Sequence, residues 1–262
     1  MLYYPMKNNI TIHKKNELIR GIDDYSLHAK RALNAIYWAM QKHKRYSYDS
    51  MLITFTTLRK VMSLENDNRY IDTIKDALLE LQKPMQLNNY THPVTETHYS
   101  WYSEPVLTKV GFLQDDKSHK EHIVEVSVST LVRHIMQTKG NFTPLDLIPI
   151  TNQFRTKYAM KLYEYLKSFE SYHYIDITHK HMMELLNLDE KSKYRYYSDL
   201  YILIERQLKQ IVKKSDLKEV RLSKSKELSK DKIFRIVIRK DGVKNATIAN
   251  MKKNLNPLIK RF

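Results

Sequence analysis

The order of hydrophobic and polar positions in the first half of the chain predicts a series of helices and strands. The run SLHAKRALNAIYWAMQKH repeats apolar residues at helical spacing after Ser26, a residue type that suits a helix N-cap. A strand, YSYDSMLITF, a short helix, TTLRKVMSL, and a second helix, RYIDTIKDALLELQ, follow it. The strand-like runs THYSWYSEPVLTKVGFL and HIVEVSVSTLV are expected to close this unit.

The second half of the chain predicts the same kinds of element in the same order. TKYAMKLYEYLKSF has the period of an amphipathic helix, YHYIDI is typical of a short strand, and Thr178 can cap a helix in HKHMMELLNL. The apolar positions of the long helix YSDLYILIERQLKQIVKK share one face: Leu200, Ile204, Leu208, Ile211 and Val212. A hairpin is predicted next, with strands Lys218–Leu222 and Ile233–Arg239 on either side of a lysine-rich loop.

Helix, strand, helix, turn, helix and hairpin therefore occur twice, with Thr56 and Thr178 in equivalent places. This is the order of a winged helix, which is a helix-turn-helix followed by a β-hairpin. The connector GNFTPLDLIPITNQF, Gly140–Phe154, contains a glycine and two prolines and separates the two copies. We therefore expect an α+β fold of two tandem winged-helix domains, residues 1–145 and 146–262.

The charge of the chain is positive and unevenly distributed. The formal net charge is +16, and residues 1–150 carry 19 Lys and Arg against 16 Asp and Glu. Residues 151–262 carry 26 against 13, so most of the positive field belongs to the second half. Such a field attracts polyanions, although a surface that merely keeps the protein in solution is the alternative on charge alone.

Composition narrows the class of protein. Apolar residues make up 42% of the chain, enough for a sizeable core, and there is no cysteine for disulfides or thiolate chemistry. No apolar run approaches the length of about 18 residues that spans a membrane, and the first residues lack the apolar segment of a signal peptide. We expect a soluble, cytoplasmic protein that has no membrane partner.

The long basic helix of the second half is the predicted DNA-reading element. The second helix of a helix-turn-helix enters the major groove, where Arg can hold guanine through two hydrogen bonds. The residues expected to contact DNA precede this helix or lie on its polar side: Lys191, Ser192, Lys193, Tyr194, Arg195, Tyr197, Ser198, Ile202, Arg206, Lys209 and Lys213. The predicted wing adds four lysines for contact with phosphates: Lys224, Lys226, Lys230 and Lys232.

Other interpretations of these residues stay open. The lysines also fit an ordinary solvated face. Tyr196 and Tyr197 fit contact with the sugar-phosphate backbone, a locked turn or packing in the core. The coincidence of helix position, charge and a basic wing is what favours DNA.

Two stretches resemble plasmid replication initiators of the Rep_3 (RepE/RepB/Pi-like, iteron-binding) family. TKYAMKLYEYLKSF, after a proline-bearing linker, looks like the hallmark helix of that family. YSDLYILIERQLKQIVKKSDL is similar to its recognition-helix stretch, with these residues in matching places: Tyr197, Asp199, Leu200, Ile204, Ile211, Asp216 and Leu217. This sequence has Tyr201 where the family often has a basic residue, which affects base-level specificity rather than the fold.

The resemblance implies a function beyond what the residues indicate. Initiators of this family bind double-stranded DNA at origin repeats (iterons) as monomers, help to open the duplex, and recruit the host replication initiator and the replicative helicase. A homodimer in equilibrium with the monomer often binds an operator inverted repeat and represses the initiator's own gene.

The first domain is implied to serve dimerisation and auxiliary DNA contact. Its matching DNA-contact candidates lie at the start of the second helix: Asn68, Arg69, Tyr70 and Thr73. That helix also carries Asp72, Asp76 and Glu80, so its contact with DNA should be weaker. The strand HIVEVSVSTLV, with one apolar and one polar face, is expected to offer the edge that pairs with a second copy.

An enzyme is the rival class, in particular a rolling-circle nicking enzyme with a metal-binding His-x-His. His179 and His181 have that spacing, but they begin a predicted helix, where residues two apart diverge by about 200°. SHKEH, residues 118–122, is expected in a solvated loop, and four glycines leave no phosphate-cradling loop. We therefore expect no enzyme, no metal and no cofactor. A winged-helix transcriptional regulator without a replication role remains the alternative.

Overall fold

The computed structural model describes residues 11–43, 50–92, 94–113, 122–147, 153–223 and 226–238. The chain forms two compact units, Met1–Met160 and Lys161–Phe262. Helices and strands are mixed in both units, as the sequence predicts. The functional division at residue 145 stays a prediction.

The first unit contains the helices and strands predicted for it and several more. In chain order they are β1 (Thr11–Lys15), α1 (Asn16–Arg20), α2 (Leu27–His43), β2 (Met51–Thr54), α3 (Phe55–Val61), α4 (Tyr70–Glu80), β3 (Pro84–Thr91), β4 (His98–Pro105), β5 (Leu107–Leu113), β6 (Ile123–Val128), α5 (Thr130–Gln137) and β7 (Phe142–Asp146).

The sheet that completes the first winged helix has the order β2-β6-β5, with antiparallel pairing throughout. Strand β6 alternates as predicted: Val124, Val126 and Val128 are buried, whereas the residues between them are half-buried. Because β6 has a neighbour on each side, it is the middle strand. The expectation that it offers a free edge to a second copy is therefore wrong.

Several elements of the first unit depart from the predicted ones. The run THYSWYSEPVLTKVGFL is two strands, and its first part, β4, pairs with β3, for which no strand was predicted. The predicted strand HIVEVSVSTLV ends at Val128 because Ser129 caps helix α5, accepting a hydrogen bond from the Val132 backbone N–H. The predicted connector contains β7, which pairs antiparallel with β1.

The second unit repeats the pattern with fewer additions. Its elements are α6 (Lys157–Lys167, which begins in the first unit), β8 (Tyr174–Thr178), α7 (His179–Leu185), α8 (Tyr197–Lys214), β9 (Arg221–Leu222), α9 (Lys226–Lys230) and β10 (Ile233–Val237). The sheet order β8-β10-β9 matches β2-β6-β5 element for element. The fold is therefore a tandem pair of winged helices, as predicted.

A threonine at the end of the first strand starts the helix-turn-helix in each unit. The Thr54 hydroxyl accepts a hydrogen bond from the Thr57 backbone N–H, and Thr178 does the same with His181. These contacts satisfy amide groups that have no partner in the first turn of a helix. Thr178 is thus the cap that the sequence predicts, but its equivalent is Thr54, not Thr56.

Helix α8 packs through the apolar face predicted for it. Leu200, Ile204, Leu208 and Ile211 are buried, and only Val212, of the five predicted core positions, is half-buried. Although α8 has 18 residues, its other side is polar, and no described helix is long and apolar enough to cross a membrane.

The start of α8 is fastened to the last strand. The ring of Tyr197 stacks on Phe234 of β10 with centroids 4.6 Å apart and planes 17° from parallel. The Tyr197 hydroxyl donates to the Ile233 carbonyl at 3.0 Å, and burial raises the pKa of the phenol. In the same sheet Arg235 donates two hydrogen bonds to Asp176, at 2.8 and 2.6 Å.

Removing the hydroxyl and removing the ring of Tyr197 should have separable effects. Tyr197→Phe keeps the stack on Phe234 and loses one hydrogen bond, so we expect the free energy of unfolding to fall by about 1 kcal/mol. Tyr197→Leu also loses the ring stack, which is worth about 0.5–1.5 kcal/mol more. Chemical denaturation followed by circular dichroism measures both, and equal losses in the two variants would contradict the role of the ring.

Candidate nucleic-acid interface

The turn before α8 is held by its own short polar side chains. The Asp189 carboxylate accepts from the Lys191 backbone N–H at 3.0 Å, and the Ser192 hydroxyl accepts from the Tyr194 backbone N–H at 3.2 Å. The Arg195 backbone N–H donates to the Ser192 carbonyl at 3.1 Å. Ser192, a predicted DNA contact, therefore uses its hydroxyl within the turn, whereas the side chains of Lys191 and Arg195 are exposed.

Two cations in this turn lie against aromatic rings. The Lys193 ammonium is 5.0 Å from the centre of the Tyr194 ring, and the Arg195 guanidinium is 4.8 Å from that of Tyr196. Arg195 also donates to the Tyr196 hydroxyl at 3.0 Å. Tyr196 is 58% exposed, so this pair stands on the surface at the N-terminus of α8. Contact with a ring limits the orientations that Arg195 samples.

The polar side of α8 is open to solvent along its whole length. Residues at intervals of three and four are exposed there, and all of them belong to the predicted interface: Ser198, Ile202, Arg206, Lys209 and Lys213. Asp199 and Glu205 flank this side and are half-buried. We call these five exposed residues the outer face of α8.

The cations of the outer face differ in their partners. Lys209 lies 3.3 Å from the Glu205 carboxylate, one turn before it in the helix. The side chains of Arg206 and Lys213 make no hydrogen bond or ion pair with any residue that the structure describes. Arg206 thus keeps all its donors free for an external acceptor, which suits bidentate contact with a base edge or phosphate.

Tyr197 contacts strand β10 through both its ring and its hydroxyl. Its ring and hydroxyl are engaged by β10, so the arrangement fits the locked turn that the sequence left open. Whether it also contacts DNA stays a prediction.

The wing differs in form from the predicted hairpin. Strand β9 has two residues, and helix α9 stands between it and β10 where a lysine-rich loop was expected. Lys230 and Lys232 are exposed, whereas Lys224 and the side chain of Lys226 lie outside the described residues. Arg221, which was not among the predicted residues, is exposed on β9. Its alternation with the buried Leu222 is the signal that could have found it.

Two of the four predicted DNA-contact residues of the first unit make local contacts, and the other two are exposed. Asn68 and Arg69 are exposed at the start of α4. The Tyr70 ring lies 4.2 Å from the Arg59 guanidinium, and the Thr73 hydroxyl donates to Asp67 at 2.7 Å. The hydrogen bond from Thr73 is the largest cause that lowers the pKa of Asp67.

Helices α4 and α8 carry different chemistry at matching positions. The buried residues Ile74, Ala77 and Leu78 of α4, together with Leu81 directly after it, have the spacing of Leu200, Leu203, Ile204 and Gln207 in α8. This match sets Asp72, Asp76 and Glu80 opposite Ser198, Ile202 and Arg206. Asp72 and Asp76 are exposed, and Glu80 accepts from the Ser26 backbone N–H at 2.6 Å. These three matching positions, which we call the outer face of α4, are thus all acidic.

The two histidines of His-x-His turn to different neighbours. The His179 ring lies 6.3 Å from that of Tyr197, and the His181 ring lies 6.3 Å from that of Tyr165. Burial, and secondarily Lys232, lowers the pKa of His179. Both residues belong to α7, as predicted, and the described residues contain no group of three or more His, Asp or Glu that could hold a metal ion.

Solved structures of other proteins resemble this chain. The Pi initiator protein, in its crystal structure in complex with iteron DNA, has a similar fold, with a TM-score of 0.65 and 15% sequence identity. The match covers 90% of this chain and 100% of that chain. Two structures of domains 2 and 3 of RctB match with TM-scores of 0.43 and 0.38, each at 12% identity. They cover 90% and 88% of this chain, and 94% and 84% of theirs.

No curated protein sequence matches the chain. A family model described as Initiator Replication protein, WH1, matches residues 11–167, which is more than half of the chain. The resemblance noted in the sequence is thereby confirmed, and this protein belongs to the family of replication initiator proteins.

Proposed function

We propose that this replication initiator binds repeated double-stranded sites, or iterons, at a plasmid origin. Helix α8 enters the major groove, and the wing contacts phosphates beside it. The observation that carries the proposal is the outer face of α8, where Arg206 and Lys213 are exposed without an ion-pair partner among the described residues. The fold that the chain shares with Pi, which was crystallised with iteron DNA, supports the same assignment.

The second half of the chain supplies most of the DNA affinity. Residues 151–262 carry 26 Lys and Arg against 13 Asp and Glu, and the anionic outer face of α4 disfavours phosphate contact. Each neutralised phosphate releases counterions, so affinity for any duplex falls steeply as salt rises. Membership of the initiator family favours a role in replication over that of a transcriptional regulator alone.

Arg206 is expected to read a base edge. Arg206→Ala removes an exposed side chain that has no hydrogen bond or ion pair among the described residues, so the fold should be unchanged. Affinity for origin DNA should fall by about 1–3 kcal/mol, and discrimination against unrelated duplex should fall with it. Fluorescence anisotropy with an origin duplex and a scrambled duplex measures both quantities.

Lys230 and Lys232 provide the control for Arg206. Replacing both with Ala removes phosphate contacts only, so cognate and scrambled duplexes should weaken alike. The salt dependence of log Kd should then flatten by about one for each lost contact. Equal loss of specificity in this variant and in Arg206→Ala would contradict the division between base and phosphate contacts.

The first unit forms the dimer that the family resemblance implies. Strand β6 is enclosed, but the outer side of the β2-β6-β5 sheet carries Leu52 and Leu113, which are 52% and 46% exposed. Both lie on the face that also presents Glu125, opposite the buried valines. A second copy covers this apolar surface in the dimer, which is in equilibrium with a monomer that binds one iteron.

A lysine on this sheet should shift the equilibrium. Leu52→Lys and Leu113→Lys should each lower the dimer fraction in sedimentation velocity, because burying an unpaired ammonium is costly. Leu79→Lys, at an equally exposed position on α4, is the matched control and should leave the mass unchanged. A dimer that survives both sheet variants places the interface elsewhere.

The remaining functions follow from the family resemblance. The host replication initiator and replicative helicase are the partners at the opened origin, and the dimer represses the initiator's own gene through an operator inverted repeat.

The chain itself cuts no DNA. Supercoiled origin plasmid incubated with the protein and Mg²⁺ should stay supercoiled. Nicks that disappear in the double variant His179→Ala, His181→Ala would refute this.

A further inference from the structure

Ile202 is a solvent-exposed apolar residue on the polar side of α8. Its side chain is 55% exposed, whereas Leu200, Leu203, Ile204 and other apolar residues of α8 are buried. It lies on the outer face, where its nearest neighbours along the face are polar or charged. Exposure of this kind costs the free protein some hydration free energy and contributes little to its packing.

The position itself tolerates a charge. In the matching register of the two helices, Ile202 corresponds to Asp76, which is exposed at the same place in the first unit. The same fold thus accommodates a carboxylate at this point. The winged helix therefore does not require an apolar residue at this position, which leaves Ile202 available for contact with a ligand.

The neighbours of Ile202 set where it would lie on DNA. Ser198 and Arg206 are one turn before and after it, and a helix rises about 1.5 Å per residue, so these three side chains stand about 6 Å apart. Base pairs stack about 3.4 Å apart, so adjacent members of the series meet bases one or two steps apart. Ile202 lies between the residue expected to hold guanine and the N-terminal end of the helix.

The major groove has one apolar group that a base pair can present, which is the 5-methyl group of thymine. A branched aliphatic side chain cannot form hydrogen bonds with base edges, but it can displace water from that methyl group. We propose that Ile202 is a specificity-determining residue that recognises a thymine through its 5-methyl group. This proposal rests on the proposed function, since it requires α8 to lie in the major groove.

The test removes the methyl group from the DNA and its partner from the protein. A duplex selected from a random pool by the full-length protein serves as the probe, and each thymine in it is replaced singly by deoxyuridine. At one position this change should weaken wild-type binding about fourfold, the value for burial of one methyl group. Ile202→Ala should bind the thymine and deoxyuridine duplexes equally, whereas Ile202→Leu should keep a preference for thymine.

Two controls separate this recognition from general effects. Leu79→Ala shortens an equally exposed leucine on α4 and should leave the response to deoxyuridine as in the wild type. Thermal unfolding of Ile202→Ala should match the wild type, because the residue is exposed. Wild-type binding that ignores deoxyuridine at every position, or Ile202→Ala that keeps the full response, overturns the proposal.

The results also distinguish the role of Ile202 from the proposed function, which is site-specific DNA binding by α8. A protein that selects no duplex from the pool overturns both. A protein that selects a site and loses affinity on Arg206→Ala, yet is insensitive to deoxyuridine, overturns only the role of Ile202.

Discussion

The antiparallel pairing of β10 with β8 positions the start of α8, which leads into the outer face. Strand β10 carries Phe234, on which Tyr197 stacks, and Arg235, which holds Asp176 of β8. The end of the wing is tied to the start of α7 as well, because the His179 backbone N–H donates to the Lys232 carbonyl at 2.9 Å. The two helices and the wing are therefore oriented by one ladder whose strands are distant in sequence.

The positive charges on the outer face of α8 destabilise the unbound protein slightly. Arg206 and Lys213 lie on one side of α8 without an ion-pair partner among the described residues, and like charges on one face repel. The buried apolar side of the helix offsets that repulsion, since Leu200, Ile204 and Leu208 are almost completely removed from water. A bound polyanion would screen this repulsion. The same two positive charges would then stabilise a complex and destabilise the unbound protein.

The sequence predicted the tandem fold and the outer face of α8 because a helical period leaves one continuous apolar side. Strand β3 escaped prediction because its burial pattern changes sides at Asn89, whose φ is 50°, between the buried Leu87 and Tyr90. The bond from Tyr197 to Ile233 could not be predicted either. It joins residues 36 positions apart, and only the completed sheet brings them together.

The two units are alike in fold but differ in charge at matching positions of α4 and α8. Asp72 and Asp76 occupy the positions that the uncharged Ser198 and Ile202 have in the second unit, so α4 in the place proposed for α8 would set carboxylates against the DNA. Bound as proposed, each molecule therefore has a polarity along the duplex. An array of molecules that bind in the same way then requires sites that all run in one direction, and the divergence of α4 from α8 becomes a constraint on the layout of the DNA.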